Sequence, residues 1–344
     1  MDFTNYIDLA AERLGGRVLI ANDEFFAPKE NLLKAAAPVW FEDKYTDEGK
    51  WMDGWETRRR RTPGYDWCIV KLGFPGIVHG VIVDTAYFKG NFPDHCELEA
   101  CTADGDASAK ELEEATSWSL LLPKSPLSGD TRNRFAVSSV NRITHLRFKI
   151  YPDGGVARLR VHGEVIPDWA AIEQPSEHAG DRAAGEIDLA AIERGALVID
   201  ASDMFFGSRN NLILPGPSRG MHDGWETRRR RGPGHDWCVV RLGVPGTVRR
   251  VEVDTSYFKG NFPESCSLEI SSAARGVTDS VALAGLPWRE ILPRAKLKAN
   301  SLHNYEKEIL DAGEATHARL HIYPDGGVAR LRLFGTPARR LVQP

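Results

Sequence analysis

The chain has 344 residues, and its 44 Lys and Arg against 48 Asp and Glu leave a formal charge of −4 at neutral pH. That balance supplies no global field for nucleic acid or an anionic membrane. No apolar run approaches the roughly 18 residues of a spanning helix, and Met1 to Tyr6 lacks a basic stretch followed by an apolar one, so an unexported, cytoplasmic protein is expected. Five cysteines, an odd number without ligand-type spacing, argue against a disulfide framework and against a simple zinc site.

In chain order, helix signals are confined to short stretches such as Asp8 to Leu14. Between Leu33 and Asp53 comes an aromatic segment with Trp40, Phe41, Tyr45 and Trp51, a candidate lid or contact surface. The run Asp53-Gly54-Trp55-Glu56-Thr57-Arg58-Arg59-Arg60-Arg61 follows. Read as an extended segment, it puts Glu56, Arg58 and Arg60 on one side and Trp55, Thr57, Arg59 and Arg61 on the other. Trp67 to Leu72 and Ile77 to Thr85 are strand candidates, divided by Gly73-Phe74-Pro75-Gly76. Cys68, within the first of these, reads as a small buried hydrophobe and is not expected to act as a nucleophile. Leu146, Phe148 and Ile150, then Ala157, Leu159 and Val161, alternate with polar residues in the period-two pattern of strands. Pro152-Asp153-Gly154-Gly155 between them predicts a tight hairpin.

The same text then recurs. Asp53 to Arg61 is repeated without change as Asp223 to Arg231, and 19 of the 24 residues from Asp53 to Gly76 recur in Asp223 to Gly246. Tyr87 to Pro93 equals Tyr257 to Pro263, and Tyr151 to Arg160 equals Tyr323 to Arg332. A period near 170 residues is a full domain rather than a solenoid unit. The expected organisation is therefore a first domain over 1–170, a linker over 171–184 rich in Pro, Gly and charge, and a second domain over 185–344. Many short strands in each copy predict an all-β protein, two tandem jelly-roll sandwiches.

Packing tolerates swaps among apolar residues of similar volume, so it does not explain why Glu, Thr and four Arg stay fixed in both copies. An anion site does. Four adjacent guanidiniums need carboxylates or a bound anion nearby, and Asp53, Glu56 and Asp66 are the local acids; the competing reading is an ion-paired strand end. His145 and His317 share the frame Thr-His-x-Arg and are candidates for proton transfer or for structural hydrogen bonding. Asp84-Thr85 and Lys89-Gly90-Asn91 follow a strand, where loops present polar groups, although Asp and Asn there also commonly satisfy backbone. His235 stands opposite Tyr65, and His95 opposite Ser265, so the copies need not be equally active.

Together these blocks, with Pro-Gly-x-Asp-Trp-Cys and Asp-Thr-x-Tyr-Phe-Lys-Gly-Asn-Phe-Pro, resemble the allantoicase family over nearly the whole chain. The resemblance implies a tandem pair of jelly rolls similar to galactose-binding modules, and hydrolysis of allantoate to ureidoglycolate and urea in purine breakdown. That reaction cleaves a carbon–nitrogen bond at a tetrahedral carbon. It needs an acid for the leaving nitrogen, a base for water and a cation for the carboxylate. Chemistry then nominates Glu56, Asp66 and His145, with Glu226, Asp236 and His317, as acids and bases. Arg58, Arg60, Lys89 and Asn91, with Arg228, Arg230, Lys259 and Asn261, are nominated for substrate binding. No cofactor is evident and no metal motif is written, with a divalent metal assembled from distant residues left open. Allantoate is the expected partner, in a homo-oligomer whose subunit contact would suit the Val39 to Trp51 insert. The alternative is a non-catalytic sandwich that binds a small anion or carbohydrate.

Overall fold

The structure is a computed structural model, described over residues 2–103, 107–114, 117–167, 185–274 and 276–338. It divides into two compact units, Met1–Ile166 and Pro167–Pro344. The expected linker over 171–184 lies outside the described residues.

In the first unit the strands are β1 (Ile7–Asp8), β2 (Arg17–Ala21), β3 (Tyr45–Thr46), β4 (Gly49–Lys50), β5 (Trp55–Glu56), β6 (Asp66–Asp84), β7 (His95–Cys101), β8 (Ser119–Pro126), β9 (Arg132–Ala136), β10 (Ile143–Tyr151), β11 (Gly155–Val156) and β12 (Arg158–Val165). All pairings are antiparallel. The expected break at Gly73–Gly76 is not a break, because β6 runs through it as one 19-residue strand. Its first half pairs with β2 and β10, and its second half with β12 and β9. One strand thus belongs to two sheets, ordered β2-β6-β10-β7-β8 and β1-β12-β6-β9. Backbone crowding forces small residues at the change of sheet: a Cβ on Gly76 would lie 2.2 Å from the Glu164 carbonyl oxygen.

Between the sheets lies the core that the alternation foresaw. Cys68, Val70, Val81, Val83, Leu98, Leu146, Phe148, Ile150, Leu159 and Val161 have no exposed surface. Each fully buried Val, Leu or Phe of this kind contributes about 1.5–3 kcal/mol. A smaller cluster of Ile69, Cys101 and Leu112, with Trp67 and Trp118 packed against it, joins the short helix Ala109–Glu114 to the sheet.

The second unit repeats this plan with β13 (Ile187–Asp188), β14 (Leu197–Ala201), β15 (Trp225–Glu226), β16 (Asp236–Asp254), β17 (Ser265–Ser271), β18 (Arg289–Lys296), β19 (Leu302–Tyr305), β20 (Ala315–Tyr323), β21 (Gly327–Val328) and β22 (Arg330–Pro337). Again one 19-residue strand, β16, pairs with β14 and β20 in one half and with β22 and β19 in the other. The all-β, two-sandwich expectation holds in both copies.

The hairpin expectation does not. β10 pairs with β6 and β7, whereas β12 pairs with β6 and β1, so the two strands lie in different sheets and never face each other. Pro152 to Ala157 is a crossing between sheets. Period-two alternation shows that a segment is a strand but not which strand it pairs with, and the length of β6 supplies a partner for both.

Candidate active site

The three segments that recur unchanged meet at one end of each sandwich, at the crossing just described. Trp55 is fully buried, packs against Phe148 at 6.1 Å between ring centroids, and donates its indole N–H to the Asp23 carbonyl at 2.8 Å. The next residue, Glu56, is held through its backbone on both sides, by Gly155 of β11 and by Ala27. Thr57 exchanges hydrogen bonds with Gly154, its amide donating to the carbonyl and its hydroxyl accepting from the Gly154 amide, both at 3.1 Å. Glycine is required here for two reasons. Gly154 has φ of +133°, and a Cβ on Gly155 would lie 1.9 Å from the Phe88 ring. The Gly155 amide in turn donates to the Asn91 carbonyl at 2.7 Å, bringing the third segment in.

So placed, the Asn91 amide donates to the Glu56 carboxylate at 2.7 Å, and Asn261 donates to Glu226 in the same way. Burial pushes the Glu56 pKa up, and the Asn91 hydrogen bond only partly opposes it. Asp153 and Asp325 accept from the backbone amides of Arg60 and Arg230 at 2.9 and 2.8 Å, which settles them as loop anchors.

The arginines do not alternate as expected, because the strand ends at Glu56. Arg58 donates from its amide and from Nε to Asp23, at 3.0 and 2.7 Å, and its guanidinium lies over the Phe25 ring; Arg228 does the same with Asp203 and Phe205. Arg60 pairs with buried Asp66 at 2.7 Å and Arg230 with Asp236 at 2.6 Å. Asp66 also accepts from Asn22, and Asp236 from Ser202. These two acids fix a guanidinium and a neighbouring loop. By contrast Arg59 and Arg229 have no hydrogen bond or ion pair among the described residues.

In the second unit a groove of about 710 Å³ opens at this point, lined by Glu226, Thr227, Arg229, Arg230, Asn261, Glu264, Lys296 and Asp325 together with Phe206 and Phe262. Its size lies within the range of small-molecule sites, about 300–1,000 Å³. Arg228 borders only a smaller depression of about 210 Å³, with Ser202, Asp203 and Asp236, which Arg229 and Arg230 line as well. Arg229, and Lys296 at the end of β18, are absent from the sequence-based candidates. Arg229 was hidden by the assumption that the strand continued; for Lys296 no repeat signal existed, since position 126 is Pro.

Other candidates lie elsewhere. His145 is fully buried, takes part in a 2.9 Å hydrogen bond between its Nδ1 and the Thr144 hydroxyl, and faces Lys71 across the sheet, while Asp66 faces Ile150. Five residues of strand, about 17 Å at 3.3–3.4 Å each, therefore separate it from the Glu56 end. Burial, then Lys71 and Arg17, hold its pKa down to about 4. His317 occupies the matching place, buried beside Thr316. The structure does not bring these histidines to the groove. Lys89 and Lys259 are exposed, and Lys259 is not among the groove-lining residues. Asp84 caps the Ala86 amide at 2.9 Å and buried Thr85 donates to the Ser128 carbonyl, so both serve the loop backbone. Burial raises the Cys68 thiol far above its ordinary value, in keeping with an inert core residue. Among the described residues no group of three or more His, Cys, Asp or Glu is arranged to hold a metal ion.

A duplicated jelly-roll sandwich that ends in a carboxylate, a carboxamide and an uncommitted guanidinium defines a class: a tandem β-sandwich protein with polar and charged groups gathered at one end of each copy. The comparisons with known proteins are narrower. The family model described as the allantoicase repeat matches residues 7–166 and again 187–338. A Dictyostelium discoideum protein named allantoicase is 47% identical over 327 residues, 95% of this chain and 86% of its own length. The crystal structure of allantoicase from Saccharomyces cerevisiae superposes with a TM-score of 0.76 at 34% identity, covering 96% of this chain and 92% of that one. The chain belongs to the allantoicase repeat family.

Proposed function

We propose that this protein is a hydrolase of purine catabolism that converts allantoate and water to ureidoglycolate and urea. The observation that carries this reading is similarity to allantoicases across both repeats, with the chain's own repeated segments converging on the Glu–Asn–Arg constellation. The alternative of a non-catalytic sandwich has no comparable support.

Allantoate carries one carboxylate and two ureido groups on a single carbon. In the reading favoured here, the uncommitted Arg229, or Arg59 in the first repeat, forks onto the carboxylate. Asn261 or Asn91 presents its amide to a ureido oxygen or holds Glu226 or Glu56 in place. The lone pair of the retained ureido nitrogen forms a C=N bond as the other C–N bond breaks, and the departing nitrogen takes a proton from the glutamic acid. Water then adds to the carbon and returns a proton to the carboxylate. Atoms balance as allantoate plus water giving ureidoglycolate plus urea. Burial raises the Glu56 pKa, which favours the protonated form that this first step draws on. Arg58 with Arg228, and Arg60 with Arg230, would then build the walls through Asp23, Asp203, Asp66 and Asp236.

No helix among the described residues is long and apolar enough to cross a membrane. A cytoplasmic location and a homo-oligomeric state complete the reading. The insert supports the second, because Val39, Trp40, Phe41 and Tyr45 are all at least 43% exposed; sedimentation of a Trp40→Ser, Phe41→Ser variant tests it. The activity itself is tested by urea release from allantoate by the purified chain.

A further inference from the structure

Because the two copies share every residue of the Glu–Asn–Arg constellation, the few neighbouring positions where they differ are informative. The end of β18 is one. In the second unit Ser265 pairs with Lys296; at the matching place in the first unit His95 pairs with Pro126. Lys296 lines the groove together with Glu226, Arg229 and Asn261.

The charges of that groove are mostly spent within the protein. Arg230 is bound to Asp236 at 2.6 Å, Asp325 to the Arg230 amide at 2.8 Å, and Glu264 to Arg294 at 3.0 Å, with Ser265 donating to the same Glu264 oxygen. Arg229 makes no ion pair among the described residues, and the nearby acid Glu264 already has its guanidinium. Glu264 also feels the Lys296 charge, but neither the Lys296 nor the Arg229 side chain is tied by a hydrogen bond or ion pair among the described residues, so these are the two cations the second groove offers an incoming anion. The first repeat retains Arg59 as its counterpart, but the Pro126 ring carries no charge and no donor. A monoanionic substrate distinguishes two such sites, because a second cation beside the groove adds attraction that an apolar residue cannot.

We propose that Lys296 is a specificity-determining residue that binds the substrate carboxylate in the second repeat only, so that the two repeats bind allantoate unequally and the second binds it more tightly. The proposal rests on the allantoate reading of the groove. Lys296 acts on binding rather than on bond breaking, since the proton exchange is assigned to glutamate and an exposed ammonium at the groove edge supplies charge alone.

Ureidoacetate, which has the carboxylate and one ureido group but no second ureido to expel, is the probe, with the neutral ureidoacetamide beside it. Calorimetric titration of the full chain should resolve a tighter and a weaker class of ureidoacetate site. Lys296→Met should weaken the tighter class at least tenfold and leave ureidoacetamide binding within twofold, and Lys296→Arg should restore ureidoacetate binding. In turnover, Lys296→Met should raise KM for allantoate about tenfold with kcat changed far less. Equal weakening of the acid and the amide, or unchanged ureidoacetate binding in Lys296→Met, overturns the proposal. A wild-type chain that binds ureidoacetate yet releases no urea from allantoate would instead overturn the allantoate reading, so the two failures are distinguishable.

Discussion

Glu56 is a carboxylate whose position costs stability. Its folded pKa is raised by burial above the ordinary glutamate value, so the folded chain holds this proton more tightly than the unfolded chain does. The sign follows from linkage: this contribution to stability is fully present below the unfolded value, about 4.3, and is lost as pH rises through the folded value. Glu56→Gln keeps an oxygen for Asn91 and removes the charge. Its melting temperature relative to the parent should therefore rise between pH 4 and pH 7, and a flat difference across that window would count against a buried carboxylate. The arginines give a second prediction at this scale. Replacing Arg59 and Arg229 together with Ala should raise KM for allantoate by roughly 10- to 100-fold, the loss of a charge-assisted hydrogen bond of about 1.5–3 kcal/mol. Arg58→Ala with Arg228→Ala should cost less, because those exposed pairs with Asp23 and Asp203 are worth about 0–1 kcal/mol. Steady-state kinetics on folded variants checks the order. Glu56 and Asn91 were legible in the sequence as polar residues that two copies retained. Arg229 was not, because choosing among four consecutive arginines requires knowing that the strand stops at Glu226 and that Asp203 and Asp236, distant in sequence, claim its neighbours.

The elements that present these groups are held by a buried ion pair. Arg158, at the start of β12, is almost wholly buried; it donates from NH2 to the Asp53 carboxylate at 2.7 Å, from NH1 to the Asp53 carbonyl at 2.9 Å and from Nε to the Ala36 carbonyl at 3.0 Å. Arg330 makes the same pair with Asp223 at 2.8 Å. It is a structural clamp between the sheet crossing and the segment leading into β5, not a ligand contact. Burial pushes the Asp53 carboxyl up, and Arg158 together with the Val39 amide and Lys34 more than offsets it, leaving the pKa below its ordinary value. Arg158→Met should destabilise the chain by about 3–5 kcal/mol, since it strands a buried carboxylate; adding Asp53→Asn should recover part of that loss in denaturant titration. If Arg158→Met alone is neutral, the clamp is not holding the crossing. Strand identity at this scale was readable from alternation, whereas pairing was not. The two halves of β6 obey the same period whichever sheet they enter, and the Pro-Asp-Gly-Gly segment that reads as a hairpin turn is shaped instead by Thr57, Phe88 and Asn91, residues far away in sequence.

Across the whole molecule, duplication is what made the fold and the candidate groove legible: residues retained in both copies marked the convergent end of each sandwich before any contact was known. The differences between copies were harder to use. Lys296 against Pro126 and the ten-residue aromatic insert of the first repeat stand outside the repeated blocks, so only spatial placement gives them meaning. In the first unit Trp40 stacks on Tyr87 at 6.0 Å, joining that insert to the loop that carries Asn91. Urea release from allantoate by the purified protein decides whether this duplicated chain is the hydrolase proposed. Stoichiometric urea and ureidoglycolate are expected, with release falling at least ~100-fold when Glu56→Gln and Glu226→Gln are combined in a protein that still folds. Undiminished release from that double variant, or binding of allantoate by the parent without any urea, would contradict that proposal.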